Sequence, residues 1–227
     1  MKKLTVVLFL KSGGSYGFID VLLLKHHLKR LLGKQVRIFC FNDLVKSIEL
    51  KDGVHWIPVR NKSWNGWWTK MNMFHPKLKS IRPFLYLDLD TAVVRDFTEA
   101  LPKDENQFLT LEDFYRKGHV GSGLMWIPKD NPKMDLIWEK WIVNPEEHIK
   151  RFRGDQDFIE SVTQPDKYWQ QITDQIGSFK PIRGGEWLRT LPDKLKIVCF
   201  HGSPKIPEAE KTINWVWKYK KDFYDKE

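Results

Sequence analysis

Two carboxylates stand one residue apart at the end of an apolar run. The run Phe84 to Leu87 leads into Asp88, and Asp90 follows after a single leucine. Such a run predicts a buried strand, and ligands of open α/β sheets bind at the carboxyl ends of strands. Two neighbouring carboxylates repel each other unless a cation lies between them, so the pair predicts a site for Mn²⁺ or Mg²⁺ that can bridge the protein to a diphosphate. A plain strand end is the alternative, because Asp is also common in turns.

A second polar cluster follows an apolar run late in the chain. The run Ile197 to Phe200 precedes His201, Gly202 and Lys205. An imidazole can complete the ligand shell of a metal, a glycine lets the backbone approach a phosphate, and a lysine can neutralise it. Alone this segment would indicate a turn, but together with the acidic pair it supports a metal and phosphate site.

Two glycine-containing segments carry weaker signals. Asp155 and Gln156 follow a glycine at a predicted helix start, where acidic residues often serve only as caps favoured by the helix dipole. The functional interpretation is that both side chains face a bound sugar. Ser122 and Gly123 precede a predicted strand. Their small side chains either let a sugar ring lie close to the backbone or simply allow the chain to turn.

The elements that would position these residues alternate in type. Hydrophobic periodicity predicts strands at 4–10, 36–41, 54–59, 83–87, 108–111, 123–127 and 197–200, and helices within 65–74 and at 19–32, 131–142, 154–162 and 212–224. This order predicts an α/β fold with a mixed, mainly parallel central sheet. Because 227 residues suit one large α/β domain, we expect a single domain over 1–227, with 208–227 as a helical tail packed on it.

The composition narrows the class of protein. Hydrophobic residues make up 41% and charged residues 30% of the chain, which argues against disorder. Eleven tryptophans supply flat apolar faces of the kind used by sugars, bases and protein cores. The formal net charge of +9 either concentrates anionic ligands such as nucleotide diphosphates or nucleic acid, or only keeps the surface solvated.

The cysteines and the apolar runs indicate where in the cell the protein is expected. Cys40 and Cys199 each lie in a run predicted as a strand, so two buried free thiols are favoured over a disulfide, which fits a reducing cytoplasm. The opening residues 1–10 resemble a short signal peptide, but no small-residue cleavage site follows and a first strand is predicted instead. No run approaches the roughly 20 apolar residues of a transmembrane helix. We therefore expect a cytoplasmic protein without a membrane span.

The order of the motifs resembles the glycogenin-like glycosyltransferases of family 8. The resemblance runs from the first strand to Lys205 and is carried by Thr69-Lys70-Met71, Tyr86 to Thr91, Ser122-Gly123, Gly154-Asp155-Gln156 and His201-Gly202. It implies the GT-A fold, a single Rossmann-like nucleotide-sugar-binding domain. It also implies transfer of a sugar from a donor, usually a UDP-sugar, with retention of the anomeric configuration. Small bacterial and phage members that share the ending Phe-His-Gly-x-Pro-Lys are the most similar.

The resemblance also implies roles for the matching residues. Asp88 would contact the donor ribose and the metal, and Asp90 and His201 would complete the metal ligands. Lys205 would hold the diphosphate leaving group, and Asp155 would line the donor sugar. Either Asp155 serves as the nucleophile, or the acceptor attacks from the leaving-group face with the phosphate as its base. The other implied donor contacts are Leu10, Ser12, Tyr16, Lys70, Ser122, Gly123, Gln156 and Gly202, with Asp43 a weaker candidate.

The sequence departs from the family pattern in three respects. The family's histidine precedes the glycine by three residues, an offset that falls on Cys199, whereas His201 directly precedes Gly202. Ser122 stands where asparagine is commoner, which bears on the preference for the sugar. The short chain without a membrane stem argues against acceptors of the Golgi type.

The acceptor stays open at this stage. A saccharide, a lipid-linked glycan or a small metabolite is one class, and a hydroxymethylated base of phage DNA is the other. The second is motivated by the charge and by segment 60–70, where basic residues alternate with tryptophans that can stack on a flipped base. Packing of these tryptophans in the core, or against a sugar, is favoured about two to one. A non-catalytic sugar-binding or DNA-binding module would not need the full set of motif residues, and a nucleotidyltransferase or phosphatase is weaker because no P-loop or second acidic cluster is present.

Overall fold

The computed structural model describes residues 3–59, 61, 63–180 and 186–226. Its strands are β1 (Leu4–Leu10), β2 (Val36–Asn42), β3 (Glu49–Lys51), β4 (Val54–Pro58), β5 (Phe84–Leu87), β6 (Thr91–Val93), β7 (Leu109–Glu112), β8 (Val120–Ile127), β9 (Lys167–Tyr168), β10 (Ile176–Ser178) and β11 (Ile197–Cys199). Its α-helices are α1 (Phe18–Leu32), α2 (Pro132–Val143), α3 (Pro145–Arg151), α4 (Asp155–Val162), α5 (Ile206–Ala209) and α6 (Asn214–Tyr224). Two longer 3₁₀ segments span Gly66–Phe74 and Pro76–Ile81.

The central sheet has the strand order β3-β4-β2-β1-β5-β8-β7-β9. Strands β4, β2, β1 and β5 run parallel to one another, and β7 runs parallel to β9, whereas the pairs β3-β4, β5-β8 and β8-β7 are antiparallel. The predicted mixed, mainly parallel α/β sheet is confirmed.

A second, small sheet places the late motif beside the early one. Its order is β10-β11-β6, and β11 pairs antiparallel with β6, the strand that starts directly after the acidic pair. The backbone N–H of Phe200 donates to the carbonyl oxygen of Asp90 at 2.8 Å. Residues 199–205 therefore lie against the end of β5, although more than a hundred residues separate the two segments in sequence.

The central strand β5 is buried on both faces, which explains its unbroken apolar run. Leu85 and Leu87 pack with α1, while Phe84 and Tyr86 pack on the opposite face with α2 and α4. Because side chains alternate along a strand, this burial fixes the register in which β5 presents the residues that follow it.

Two tryptophans of segment 60–70 belong to the core. Trp68 stacks on Trp141 with ring centroids 5.3 Å apart, and Trp64 meets Trp141 edge-on at 5.1 Å. All three are buried. The core interpretation is confirmed for Trp64 and Trp68, while the basic residues at positions 60 and 62 lie outside the described residues.

Towards the end of the described chain the structure has two helices, α5 and α6. Val216, Tyr219 and Phe223 repeat at helical spacing and are buried against the body of the protein. Cys40 and Cys199 are both free and buried. Among the residues that the structure describes, no helix combines the length and apolar character needed to cross a membrane.

Several elements differ from the sequence prediction. The helix predicted within 65–74 is present as a 3₁₀ helix over Gly66–Phe74, and most of its residues are buried. Strands β3, β6, β9 and β10 have two or three residues each, too few to show periodicity. Helix α3 begins at Asn144-Pro145, the same cap pair that correctly predicts α2 at Asn131-Pro132.

His27 joins α1 to the tail. Its Nε2–H donates to the carbonyl oxygen of Tyr219 at 2.8 Å, and its ring stacks on the Tyr219 ring at a centroid distance of 3.7 Å. Burial lowers the pKa of His27 to about 4, and the neighbouring His26 and Arg30 act in the same direction against Asp222. The folded protein therefore holds this imidazole neutral.

This histidine predicts a loss of stability in acid. The unfolded chain takes up a proton near pH 6.5 and the folded chain only near 4, so the contribution of His27 is complete above pH 6.5 and is lost as the pH falls to 4. The difference is about 3 kcal/mol. In His27→Gln, which keeps an N–H for the Tyr219 carbonyl, urea unfolding should show a correspondingly flatter dependence on pH. The exposed His119→Gln is the control, and parallel curves for wild type and His27→Gln would contradict the prediction.

Candidate active site

A cavity of about 470 Å³ opens at the carboxyl end of β5. Its walls come from the first 3₁₀ segment, the β7–β8 region, the start of α4 and the end of β11. The structure brings together nine of the predicted site residues in this lining: Lys70, Asp88, Asp90, Ser122, Gly123, Asp155, Gln156, His201 and Gly202.

The buried ammonium group of Lys70 forms the centre of the site. Its Nζ lies 3.2 Å from Asp88 Oδ2 and 3.2 Å from Asp155 Oδ2, and it donates to Ser122 Oγ at 3.0 Å. Burial disfavours the charged form, but Asp155 and Asp88 outweigh it and raise the pKa of Lys70 above its ordinary value. Lys70 is therefore a fixed positive charge that holds two carboxylates close together.

Asp155 is the most deeply buried carboxylate of the cavity. It occupies the first turn of α4, where an acidic residue is favoured by the helix dipole. Burial raises its pKa above the ordinary value, Asp88 adds to the shift, and Lys70 and Ser122 oppose it. Gln156, the next residue, donates from Nε2 to Asp113 Oδ2 at 3.3 Å and so ties α4 to the loop after β7.

Asp88 is held from three sides. It accepts a hydrogen bond from the Tyr86 hydroxyl and one from Lys70, and its backbone N–H donates to the Gly123 carbonyl at 2.9 Å. A Cβ on Gly123 would lie 3.3 Å from Asp88 Oδ2. The glycine therefore leaves room for the carboxylate, a packing reason for the small-residue loop at this position.

Asp90 pairs with the late lysine. Lys205 Nζ lies 2.6 Å from Asp90 Oδ2 and also 5.5 Å from the centre of the Tyr16 ring. Burial raises the pKa of Tyr16, and the charges of Asp90 and Asp88 raise it further. Tyr16 and Lys205 thus both lie next to the acidic pair, although neither lines the cavity.

His201 also lines the cavity, and its ring contacts Ser178 and Phe114. Its Nε2 lies 2.6 Å from Ser178 Oγ, and its ring stacks on Phe114 at 5.3 Å. Burial lowers the pKa of His201 to about 4, and Lys180 and Lys205 lower it further. The imidazole is therefore neutral near pH 7, the form that binds metals.

The charges of the acidic pair act on the thiol of Cys199. Burial raises the pKa of this thiol, and Asp90 and Asp88 contribute in the same direction. The ligand atoms of Asp88, Asp90 and His201 do not all lie within 4.8 Å of one another. The third ligand position predicted for His201 thus stays a prediction.

Within the described chain, one other group does bring three potential metal-binding atoms within 4.8 Å. It consists of His26, His27 and Asp222 at the contact between α1 and α6. Arg30 Nε lies 2.9 Å from Asp222 Oδ2, and Lys226 Nζ lies 2.9 Å from Asp222 Oδ1. Because two cations already compensate this carboxylate, the group is a charged hydrogen-bond network.

The loop after β1 is organised by Asp43. This carboxylate accepts hydrogen bonds from Lys11 Nζ at 2.6 Å and from the Ser12 backbone at 2.8 Å. Burial would raise the pKa of Asp43, but these hydrogen bonds outweigh it and lower the pKa to about 2. Leu10 is buried in the core. The predicted roles of Leu10 and Ser12 in base binding are not tested by this arrangement, because neither residue lines the cavity.

Sequence reasoning missed a charged network in the cavity wall. Arg116 lies 3.0 Å from Asp113 and 3.0 Å from Asp157, and Arg153 pairs with Asp157 at 2.8 Å. Asp157 stands two residues after Asp155 in a motif that the sequence does show. Asp113 and Arg116 follow β7 in a loop without periodicity, so no pattern marks them.

The fold is shared with known glycosyltransferases. GlyE of Streptococcus pneumoniae TIGR4 superposes with a TM-score of 0.64 at 17% identity over 96% of this chain, and the galactosyltransferase LgtC, solved with donor and acceptor sugar analogs, with 0.64 at 11% over 98%. The chain has the GT-A glycosyltransferase fold. The bifunctional glycosyltransferase WbbM matches with a TM-score of 0.59 at 11% identity over 97% of the chain.

These similarities are structural. No protein-family model matches the sequence, and no curated protein sequence matches it. The chain spans 60% of the length of GlyE and 51% of WbbM, but 96% of LgtC. At such identities the similarity establishes the fold, and the activity has to be argued from the residues of the cavity.

The buried charge network makes a prediction about stability. Replacing Lys70 with Met leaves two carboxylates uncompensated, so it should lower the free energy of unfolding by about 3–5 kcal/mol. The double variant Lys70→Met/Asp155→Asn removes one of the two charges and should recover a large part of the loss. Urea unfolding at pH 7 measures both. Lys79→Met, which breaks an exposed pair with Asp135, should cost less than about 1 kcal/mol, and equal losses in the single and double variants would refute the electrostatic explanation.

Proposed function

We propose that this chain is a metal-dependent, retaining glycosyltransferase that moves a sugar from a nucleotide diphosphate donor, expected to be a UDP-sugar, to an acceptor hydroxyl. The observation that carries the proposal is that Asp88, Asp90 and Asp155 line one cavity of a GT-A fold, with Lys205 paired to Asp90 beside it. Membership of family 8, from the order of motifs, is part of the proposal.

The charges of the cavity fit a divalent cation. Six carboxylates of the described chain line it, against the three cationic side chains of Lys70, Arg116 and Arg153. With His201 neutral, the lining residues carry an excess of three negative charges, one of which Lys205 offsets through its contact with Asp90. Asp88 and Asp90 supply the oxygen ligands that Mn²⁺ and Mg²⁺ prefer, and His201 is the proposed third ligand. A bound metal would neutralise the charge that develops on the departing diphosphate.

The remaining residues have roles of their own. Lys205, which lies 2.6 Å from Asp90, would hold the diphosphate as it leaves and stabilise its negative charge. Ser122, Asp155 and Gln156 would line the donor sugar. For retention, either Asp155 would act as the nucleophile, or the acceptor would attack on the leaving-group face with the phosphate as its base.

The alternative acceptor, a hydroxymethylated base of DNA, gains no support from the structure. Two of the three tryptophans that motivated it are packed in the core. A non-catalytic module would not require the complete set of motif residues, yet Asp88, Asp90, Lys205 and Asp155 meet in one place.

Donor binding tests this proposal. A UDP-sugar with Mn²⁺ should raise the melting temperature of the wild type, because a ligand that binds only the folded state stabilises it. Asp90→Asn should abolish the shift and lower the rate of donor hydrolysis by about 100-fold to 1,000-fold, the usual cost of losing one charge-stabilising group. EDTA should have the same effect on the wild type.

The control is Asp96→Asn, an exposed carboxylate six residues further along that does not line the cavity. It should behave as the wild type does. If neither UDP, GDP nor ADP sugars shift the wild-type transition with Mn²⁺ or Mg²⁺, the proposed function is wrong. Proton NMR of the released or transferred sugar reports the anomeric configuration, and inversion would refute the retaining part.

A further inference from the structure

One tryptophan of the segment 60–70 is not in the core. Trp67 is 57% exposed, whereas its neighbours Trp64 and Trp68 are buried. Its side chain lines the same cavity as Asp155. An exposed tryptophan at the mouth of a polar cavity offers a flat apolar face and a ring N–H, the two features that a sugar ring can use.

The position of Trp67 relative to the donor groups follows from a chain of contacts. Asp88 contacts Lys70, and Lys70 contacts Asp155. Gly154 precedes Asp155, and a Cβ on this glycine would lie 3.4 Å from the Trp67 ring nitrogen. These contacts lead from Asp88, proposed to bind the nucleotide, through Asp155, proposed to line the donor sugar, to Trp67. The indole therefore lies directly beside the residue that precedes Asp155.

A second exposed ring lines this cavity. Tyr115 is 48% exposed, and its ring meets His201 edge-on at a centroid distance of 5.0 Å. His201 in turn stacks on Phe114, so the Tyr115 ring packs against a side chain that is itself held in place. The cavity thus presents two aromatic faces that the groups proposed for the donor do not include.

The charges decide which kind of acceptor fits. The two guanidinium groups of the wall are already paired, Arg116 with Asp113 and Asp157, and Arg153 with Asp157. Neither guanidinium is left over for a phosphodiester backbone, although the chain as a whole carries +9. An uncharged polyol needs no such cation.

We infer that Trp67, with Tyr115, forms the acceptor subsite, and that the acceptor is an uncharged saccharide whose ring stacks on the indole. The inference rests on the proposed function, since it needs a donor sugar at Asp155. It assigns Trp67 to the binding of the acceptor and excludes it from binding of the nucleotide.

Saturation-transfer difference NMR tests the subsite. The probes are lactose, maltose, cellobiose and N,N′-diacetylchitobiose, each with the protein, UDP and Mg²⁺. At least one disaccharide should bind the wild type, Trp67→Ala should weaken that binding at least about 10-fold, as loss of a stacking face in a sugar site would, and Trp67→Phe should lie between them. Trp217→Ala is the matched control, because Trp217 is 47% exposed on α6 and does not line the cavity.

The outcomes separate this inference from the proposed function. It is overturned if no disaccharide binds the wild type, if Trp67→Ala binds as the wild type does, or if a single-stranded 12-mer of DNA binds in a Trp67-dependent way and the sugars do not. The thermal shift caused by UDP and Mg²⁺ should be the same in Trp67→Ala and the wild type. If only the Trp67→Ala variant loses the thermal shift, Trp67 belongs to the donor site and the proposed function still holds. If the wild type shows no thermal shift, the proposed function is wrong whether or not the disaccharides bind.

Discussion

A buried ammonium group connects the elements that form the cavity. Lys70 belongs to a 3₁₀ segment, and its three partners come from the end of β5, from β8 and from the start of α4. An ion in a protein interior is stable only if its partners are fixed at short distance, so the energetics of this one charge constrain the relative positions of four elements. The geometry of Asp88 and Asp155, on which any chemistry in the cavity depends, follows from that constraint.

The surroundings of the charge explain the small residues nearby. Gly123 leaves space for the Asp88 carboxylate, and Ser122 contributes a hydroxyl short enough to reach Lys70. An asparagine at position 122 would bring a larger amide to the same ammonium. The serine at position 122 is therefore compatible with the network around Lys70.

Elements of the fold could be predicted from the sequence where an unbroken apolar run or a capping pair marks them. Strand β5 is predicted because Phe84 to Leu87 are apolar on both faces, and α2 because Asn131-Pro132 is a standard cap. The 3₁₀ form of the segment Gly66–Phe74 and the short strands β6 and β10 could not be predicted, since tertiary pairing and burial create them. The same holds for the site: the acidic pair is visible as a motif, but the network around Arg116 depends on a loop whose conformation is fixed by contacts with α4.

The pairing of β11 with β6 has a consequence for how the molecule is made. Lys205 reaches Asp90 across 115 positions of the chain. Closing so large a loop costs conformational entropy that only the completed contacts repay, which is why contacts of high sequence separation tend to form late in folding. During synthesis from the N-terminus, the central sheet can assemble around β1, β2 and β5 before Lys205, the partner of Asp90, has been made. A chain that ended before β11 would therefore carry the central sheet without a finished cavity.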